Sequence, residues 1–184
     1  MEQRTSTEGC LKEIKVMVRI LLVMILAGTC FACKKSSEDR CSPDSYEFIF
    51  QNSMNIDTIR LFTTDPTLEF YSYTLSAGNK IVFTYKHHFR DCPEISDDEG
   101  LETLVFEIPQ QSDSFEFNDS LELRSAKCLM HFSCFCAPGS PFFIKQGYVK
   151  GTRINSNKWK LEANLQMPWN SQSIVSFDNI FTLK

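Results

Sequence analysis

The chain lacks the short motifs that many enzyme families carry. It has no Gly-x-Ser-x-Gly segment and no glycine-rich loop of the kind that holds phosphate, and only 7 of its 184 residues are glycine. Its only histidines are His87, His88 and His131. A serine nucleophile needs a histidine that is oriented by a carboxylate, and no serine stands in a recognisable context of that kind. The sequence therefore predicts that the protein is not an enzyme.

Charge and hydrophobic runs exclude two further classes. The chain has 19 Lys and Arg against 23 Asp and Glu, a formal net charge of −4, so no basic surface for nucleic acid is predicted. The longest apolar run, from Ile20 to Ala27, is about half of the ~20 residues that a membrane-spanning helix requires. The sequence thus predicts neither a nucleic-acid partner nor a transmembrane helix.

Charge is also unevenly distributed along the chain. Eleven acidic residues and no Lys or Arg lie between Asp91 and Glu122, whereas seven basic residues and no acid lie between Arg124 and Lys160. One interpretation is a bipolar surface that steers partners. The other, which we favour, is that neighbouring strands pair acid against base across the sheet.

The apolar run has the flanks of an export signal. Arg19 precedes it, small residues and two cysteines follow it, and a polar stretch begins at Lys34. This segment resembles the signal peptide of bacterial lipoprotein precursors, in which a peptidase cuts before a cysteine that carries diacylglycerol. The resemblance implies lipid attachment at Cys33, which follows Ala32, with Cys30 as the alternative. An ordinary secretory signal that is cut nearby is the remaining interpretation.

These features divide the chain into three parts. Residues 1–32 are predicted as the signal peptide, with Met17 as an alternative start, and residues 33–45 as the lipid-attachment site and a flexible tether. Residues 46–184 form the expected single domain. The resemblance implies a lipid-anchored protein of the cell envelope at the outer membrane, with the periplasmic or surface face left open.

Alternation of apolar and polar residues predicts an all-β domain. From Trp159 to Met167 every second residue is apolar, which is the period of a half-buried strand. No long helical period occurs after residue 45. Short strands separated by turn residues favour an antiparallel β-sandwich or an up-and-down barrel of about nine strands. The expected strands lie near residues 46–52, 58–63, 68–75, 80–89, 102–108, 115–123 (one strand or a tight hairpin), 128–135, 143–154 with its hairpin partner 159–167, and 174–183.

The cysteines of an exported domain are expected to form disulfides. The candidates are Cys41, Cys92, Cys128, Cys134 and Cys136. We expect at least one bridge, from the 128–136 strand to Cys92 or Cys41, although spacing does not fix the connectivity. A metal or redox site on the same cluster, with His131 and either His87 or His88 as further ligands, is a weaker alternative. It is disfavoured because an extended chain would turn His131 away from the cysteines and because the adjacent His87 and His88 diverge. No cofactor is predicted.

Two functions remain open. The first is a non-catalytic, lipid-anchored envelope protein that binds or scaffolds a protein or glycan of the envelope. The second is a lipocalin-like carrier of a small apolar ligand. Residues 147–164 also resemble the C-terminal part of small β-rich bacterial lipoproteins, which supports fold and location only. A filled interior favours the first function, and a hollow interior favours the second.

Overall fold

The computed structural model describes residues 41–62, 69–92, 100–134, 137–167 and 170–184, all within one compact unit, Cys41–Lys184. In this part of the chain, ten strands form one sheet and one short helix is present. The elements are β1 (Ser45–Leu61), β2 (Phe70–His88), β3 (Gly100–Pro109), β4 (Ser114–Phe117), α1 (Ser120–Ser125), β5 (Leu129–Cys134), β6 (Ala137–Pro138), β7 (Phe142–Phe143), β8 (Gln146–Asn155), β9 (Lys158–Met167) and β10 (Asn170–Leu183).

The strand order confirms the all-β prediction and corrects its details. Nine strands follow in the order β4-β8-β9-β10-β1-β2-β3-β5-β6, and β7 pairs with β5. The sheet is mixed rather than antiparallel, because the first and last strands, β1 and β10, meet side by side in the same direction. The barrel alternative is wrong: among the described residues the end strands β4 and β6 do not pair. The Phe115 ring of β4 packs instead on Phe106 of β3, with the ring centroids 5.6 Å apart.

Two long strands replace four of the expected short ones. β1 and β2 form a continuous hairpin whose register shifts at Met54, which faces both Ala77 and Lys80. Ser53 has a φ of 56° at this bulge. The segment 77–79, which separates the expected strands 68–75 and 80–89, lies inside β2, where a Cβ on Gly78 would come within 2.0 Å of Asn55 Cγ. These residues therefore produce a β-bulge that bends the hairpin.

Buried apolar side chains lie on both faces of the sheet, and the bend brings part of the hairpin over one of these faces. The inner cluster lies on one face, and its largest fully buried members include Phe50, Phe83, Phe106, Trp159 and Phe181. The outer cluster lies on the opposite face. It consists of Ile56, Tyr71, Val82, Val105, Leu129 and Phe143. Because Ile56 and Tyr71 belong to the distal hairpin (residues 54–61 and 70–77), this hairpin covers the outer face and gives a sandwich-like second layer.

The segment predicted as strand 115–123 is a short strand followed by a helix. Helix α1 begins after Asp119, whose carboxylate accepts hydrogen bonds from the backbone N–H groups of Leu121 and Glu122 at 2.8 and 2.9 Å. The Glu122 carboxylate in turn accepts from the Asn118 N–H at 2.8 Å. Such reciprocal capping starts a helix locally, and Leu123 is buried in the inner cluster.

Acidic and basic segments contact each other, and one such pair is opposite across two strands: Glu116 of β4 faces Lys150 of β8. Lys127 contacts Glu107 at 3.1 Å, and Arg153 contacts Asp113 at 3.3 Å. The predicted tether, in contrast, ends earlier than residue 45. Cys41 is bonded to Cys92, and Ser42 N donates to the Asp91 carbonyl at 2.7 Å, so residues 41–45 already belong to the domain.

Candidate functional site

A groove opens where β1 and β10 separate. The parallel ladder between them consists of two Cα pairs, Ile49 with Thr182 and Phe50 with Leu183. On the N-terminal side of these pairs lies a cavity of about 360 Å³, which we call the β1–β10 groove. Residues 174–176 of β10 form one wall. The opposite wall is formed by Tyr46, Tyr85, His87, Phe89 and Glu102.

Aromatic rings line the groove because strand alternation puts them on one face. Tyr46 lies opposite His87, and Phe48 lies opposite Tyr85, in the register of β1 with β2. The Tyr85 ring stacks on Phe177 of β10, with centroids 5.1 Å apart. Tyr46 stays 52% exposed at the rim. The groove therefore has an apolar floor and an accessible aromatic edge, as binding clefts often do.

His87 is fixed in the wall by four neighbours. Its ring stacks on Tyr46 at 4.4 Å and packs on Phe89 at 4.1 Å. Its Nε2 lies 3.1 Å from Asp44 Oδ2, and its Nδ1 lies 3.4 Å from Glu102 Oε2. The hydrogen bond to His87 is the main cause that lowers the pKa of Asp44. Both carboxylates thus converge on one imidazole at the groove.

Tyr85 supplies a hydroxyl that remains protonated. Burial raises its pKa well above the ordinary value, and the nearby Glu102 carboxylate adds to that effect. At physiological pH the side chain is therefore a neutral group that both donates and accepts hydrogen bonds.

A second cavity, of about 410 Å³, lies on the solvent side of β8, β9 and β10. Its charged groups are paired with one another: Lys150 with Glu162 at 3.0 Å, and Lys160 with Asp178. The Tyr148 hydroxyl donates to Glu162 at 2.5 Å, and this bond is the main cause that lowers the pKa of Glu162. These ion pairs and the hydrogen bond join neighbouring strands to one another. The β1–β10 groove is therefore the stronger candidate for a binding site.

The cysteines differ from the expected connectivity. Cys41 and Cys92 are bonded to each other, so the predicted bridge from the 128–136 strand to either of them is wrong. Cys134 is also disulfide-bonded, and Cys128 is a buried free thiol whose pKa is raised by burial. Cys136, Cys33 and Cys30 lie outside the described residues. Cys41 and Cys92 are close enough to bond because Cys41 precedes β1, Cys92 follows β2, and the start of β1 lies beside the end of β2.

Strand β5 shows the alternation that is expected of an extended chain. Met130 lies in the inner cluster and Leu129 in the outer one, so successive side chains point to opposite faces. Within the part of the chain that the structure describes, no group of three or more His, Cys, Asp or Glu could hold a metal ion. His131 lies in β5, at the register position opposite Thr103.

The sequence indicates His87 only as a possible metal ligand and does not predict the groove. The alternation of apolar and polar residues over 81–89 predicts a strand. It does not predict that this strand pairs with β1 and β3. Comparison with protein-family models, with curated proteins and with solved structures found no match. Among the described residues, no helix is long and apolar enough to cross a membrane.

Proposed function

We propose that this chain is a non-catalytic, lipid-anchored protein of the cell envelope that binds an envelope partner through the β1–β10 groove. The lipid is attached at Cys33, or at Cys30 if the alternative cut is used. The binding role rests on one observation: the two strands that join the ends of the domain diverge around an accessible, aromatic-lined cavity.

The geometry of His87 favours binding over catalysis. A general base needs a ring nitrogen that can reach a proton on the reacting group. Here Nε2 faces Asp44 and Nδ1 faces Glu102, while aromatic rings cover both sides of the imidazole. The imidazole therefore acts as a positioned link between the two carboxylates.

The bridge between Cys41 and Cys92 supports an exported location. Disulfides form and persist in oxidising compartments such as the bacterial periplasm and the cell surface. The bridge also ties the first described residue to the domain, only eight positions after Cys33. A short segment therefore connects the proposed lipid to a stable fold.

The filled interior supports a binding protein rather than a hollow carrier. Phe83 lies at the centre of the inner cluster, with its ring 5.0 Å from Phe106 and 5.3 Å from Trp159. All three side chains are essentially inaccessible to solvent. A lipocalin-like carrier needs an apolar cavity in this position.

Metabolic labelling tests the anchor. In a bacterial host that processes lipoproteins, the full chain is expected to incorporate radioactive palmitate and to fractionate with membranes. Cys33→Ser should abolish incorporation, and Cys30→Ser should leave it unchanged. The reverse pattern would move the lipid to Cys30. Labelling that survives both substitutions, or that never occurs, would contradict the anchor.

A further inference from the structure

The backbone of β10 presents a regular set of hydrogen-bonding groups to the groove. Lys184 N donates to the Phe50 carbonyl of β1 at 3.0 Å, whereas Leu183 N donates to Asn157, on the β9 side, at 3.1 Å. Backbone groups of successive strand residues point to opposite sides. Since the register with β9 runs without a shift from Ile174 to Thr182, even-numbered residues face the β1 side.

The backbone groups of Ile174, Ser176 and Asp178 therefore face the β1 side, and the first two of these residues line the groove. The next one, Ile180, already uses its N–H in a local bond, to Asn179 Oδ1 at 2.7 Å. On β1 the same alternation directs the backbone of Tyr46 towards β10, because Phe50 faces that strand. Both walls thus expose the edge of a strand above a common aromatic floor.

We infer that the β1–β10 groove binds an extended, basic peptide segment of an envelope protein, which adds to the edge of β10 as a further strand. Strand edges with unpaired N–H and C=O groups are templates for such addition. This inference rests on the proposed binding function and specifies its ligand class.

The charge of the groove determines the preferred side chain of the peptide. Asp44 and Glu102 both contact His87, so one imidazole faces two carboxylates. Arg90 donates its backbone N–H to Asp44, and its charge also acts on that carboxylate. Two acids therefore face one permanent cation, and the site is negative when His87 is neutral. The two carboxylate side chains are 44% and 18% exposed, so a ligand can reach them. A lysine or arginine beside Tyr46 also gains a cation–π contact.

The probe is a fluorescent six-residue peptide of alternating valine and threonine with one central lysine, titrated against the full chain in detergent. Two matched peptides serve as controls, one with glutamate in place of lysine and one with alternate backbone nitrogens methylated. We expect the lysine peptide to bind most tightly. The methylated peptide should not bind, because it lacks donors for strand pairing.

Ser176→Pro is the decisive variant. It removes an N–H that faces the groove and leaves the β9 ladder intact, which is the position where a strand tolerates proline. Ser176→Ala, which retains the N–H, is its control. Loss of one backbone hydrogen bond should weaken peptide binding by up to about tenfold, whereas Ser176→Ala should bind like the wild type. Glu102→Gln should reduce the preference for lysine over glutamate.

Hydrogen exchange on the wild-type protein gives a readout that does not depend on the folding of a variant. The lysine peptide should slow exchange at Ser176 and Asp178. Equal binding of the methylated peptide, absence of binding by all three peptides, or binding without protection of β10 would overturn the inference. Because palmitate labelling does not depend on the groove, failure of peptide addition is distinguishable from failure of the anchor.

Discussion

The side-chain carboxylate of Glu107 in β3 accepts a hydrogen bond from the backbone N–H of Ile56 in the distal hairpin, at 2.7 Å and across 51 positions of sequence. Glu107 is only 7% exposed. Lys127 Nζ lies 3.1 Å from the other carboxylate oxygen and also donates to the Ile56 carbonyl. One buried acid thus joins the folded-over hairpin to the main sheet.

Glu107→Ala is expected to destabilise the protein, because it leaves the Ile56 N–H without its acceptor and Lys127 without its carboxylate. An unsatisfied buried donor costs about 1–3 kcal/mol of unfolding free energy. Denaturant unfolding of wild type and variant measures the difference. Glu107→Gln, which retains an oxygen acceptor but loses the ion pair, should lie between the two.

Glu116→Ala is the matched control for Glu107, since Glu116 is exposed in β4. Surface substitutions usually change the unfolding free energy by no more than about 0.5 kcal/mol. If Glu107→Ala and Glu116→Ala had equal effects, the assigned role of the buried carboxylate would be wrong.

The bridge between Cys41 and Cys92 should stabilise the domain, because it closes the chain across 51 positions. Loss of a native disulfide from a small exported domain typically costs about 2–5 kcal/mol. Cys41→Ser, Cys92→Ser and the double variant should therefore lose similar stability in thermal unfolding, since each removes the same bond. Additive losses in the double variant would show that the two cysteines act separately.

Asp44 should make stability depend on pH in acid. Its pKa in the folded state is below the usual 3.8, mainly because of the hydrogen bond to His87. A carboxyl group whose pKa is lower in the folded state stabilises the fold at pH values above its unfolded-state pKa. This stabilisation is lost as the pH falls through the folded-state pKa. The melting-temperature difference between wild type and Asp44→Asn should therefore be full above pH 3.8 and shrink below it.

His87→Gln provides the control for this titration. Removal of the imidazole takes away the main cause of the lowered pKa, so Asp44→Asn in that background should show a smaller pH-dependent difference. If the melting-temperature difference between wild type and Asp44→Asn did not change with pH in acid, the pairing of Asp44 with His87 would be contradicted.

The sequence by itself determined the strand character and the inward faces of the domain. The apolar positions of residues 159–167, from Trp159 to Met167, are buried as the alternation predicted, because a strand turns successive side chains to opposite faces. The opposition of Glu116 and Lys150 was predictable because adjacent strands place their side chains opposite one another. The ion pairs of Lys127 and Asp113 were not predictable in this way, because these two residues lie outside the strands.

Only the tertiary structure decided which strands meet and what lies between them. The parallel contact of β1 with β10, the bridge from Cys41 to Cys92 and the fold-over at Met54 join residues that are far apart in sequence. Local periodicity carries no information on such partners. The β1–β10 groove depends on the parallel contact and on its early end, so it became visible only once the two termini of the domain were placed side by side.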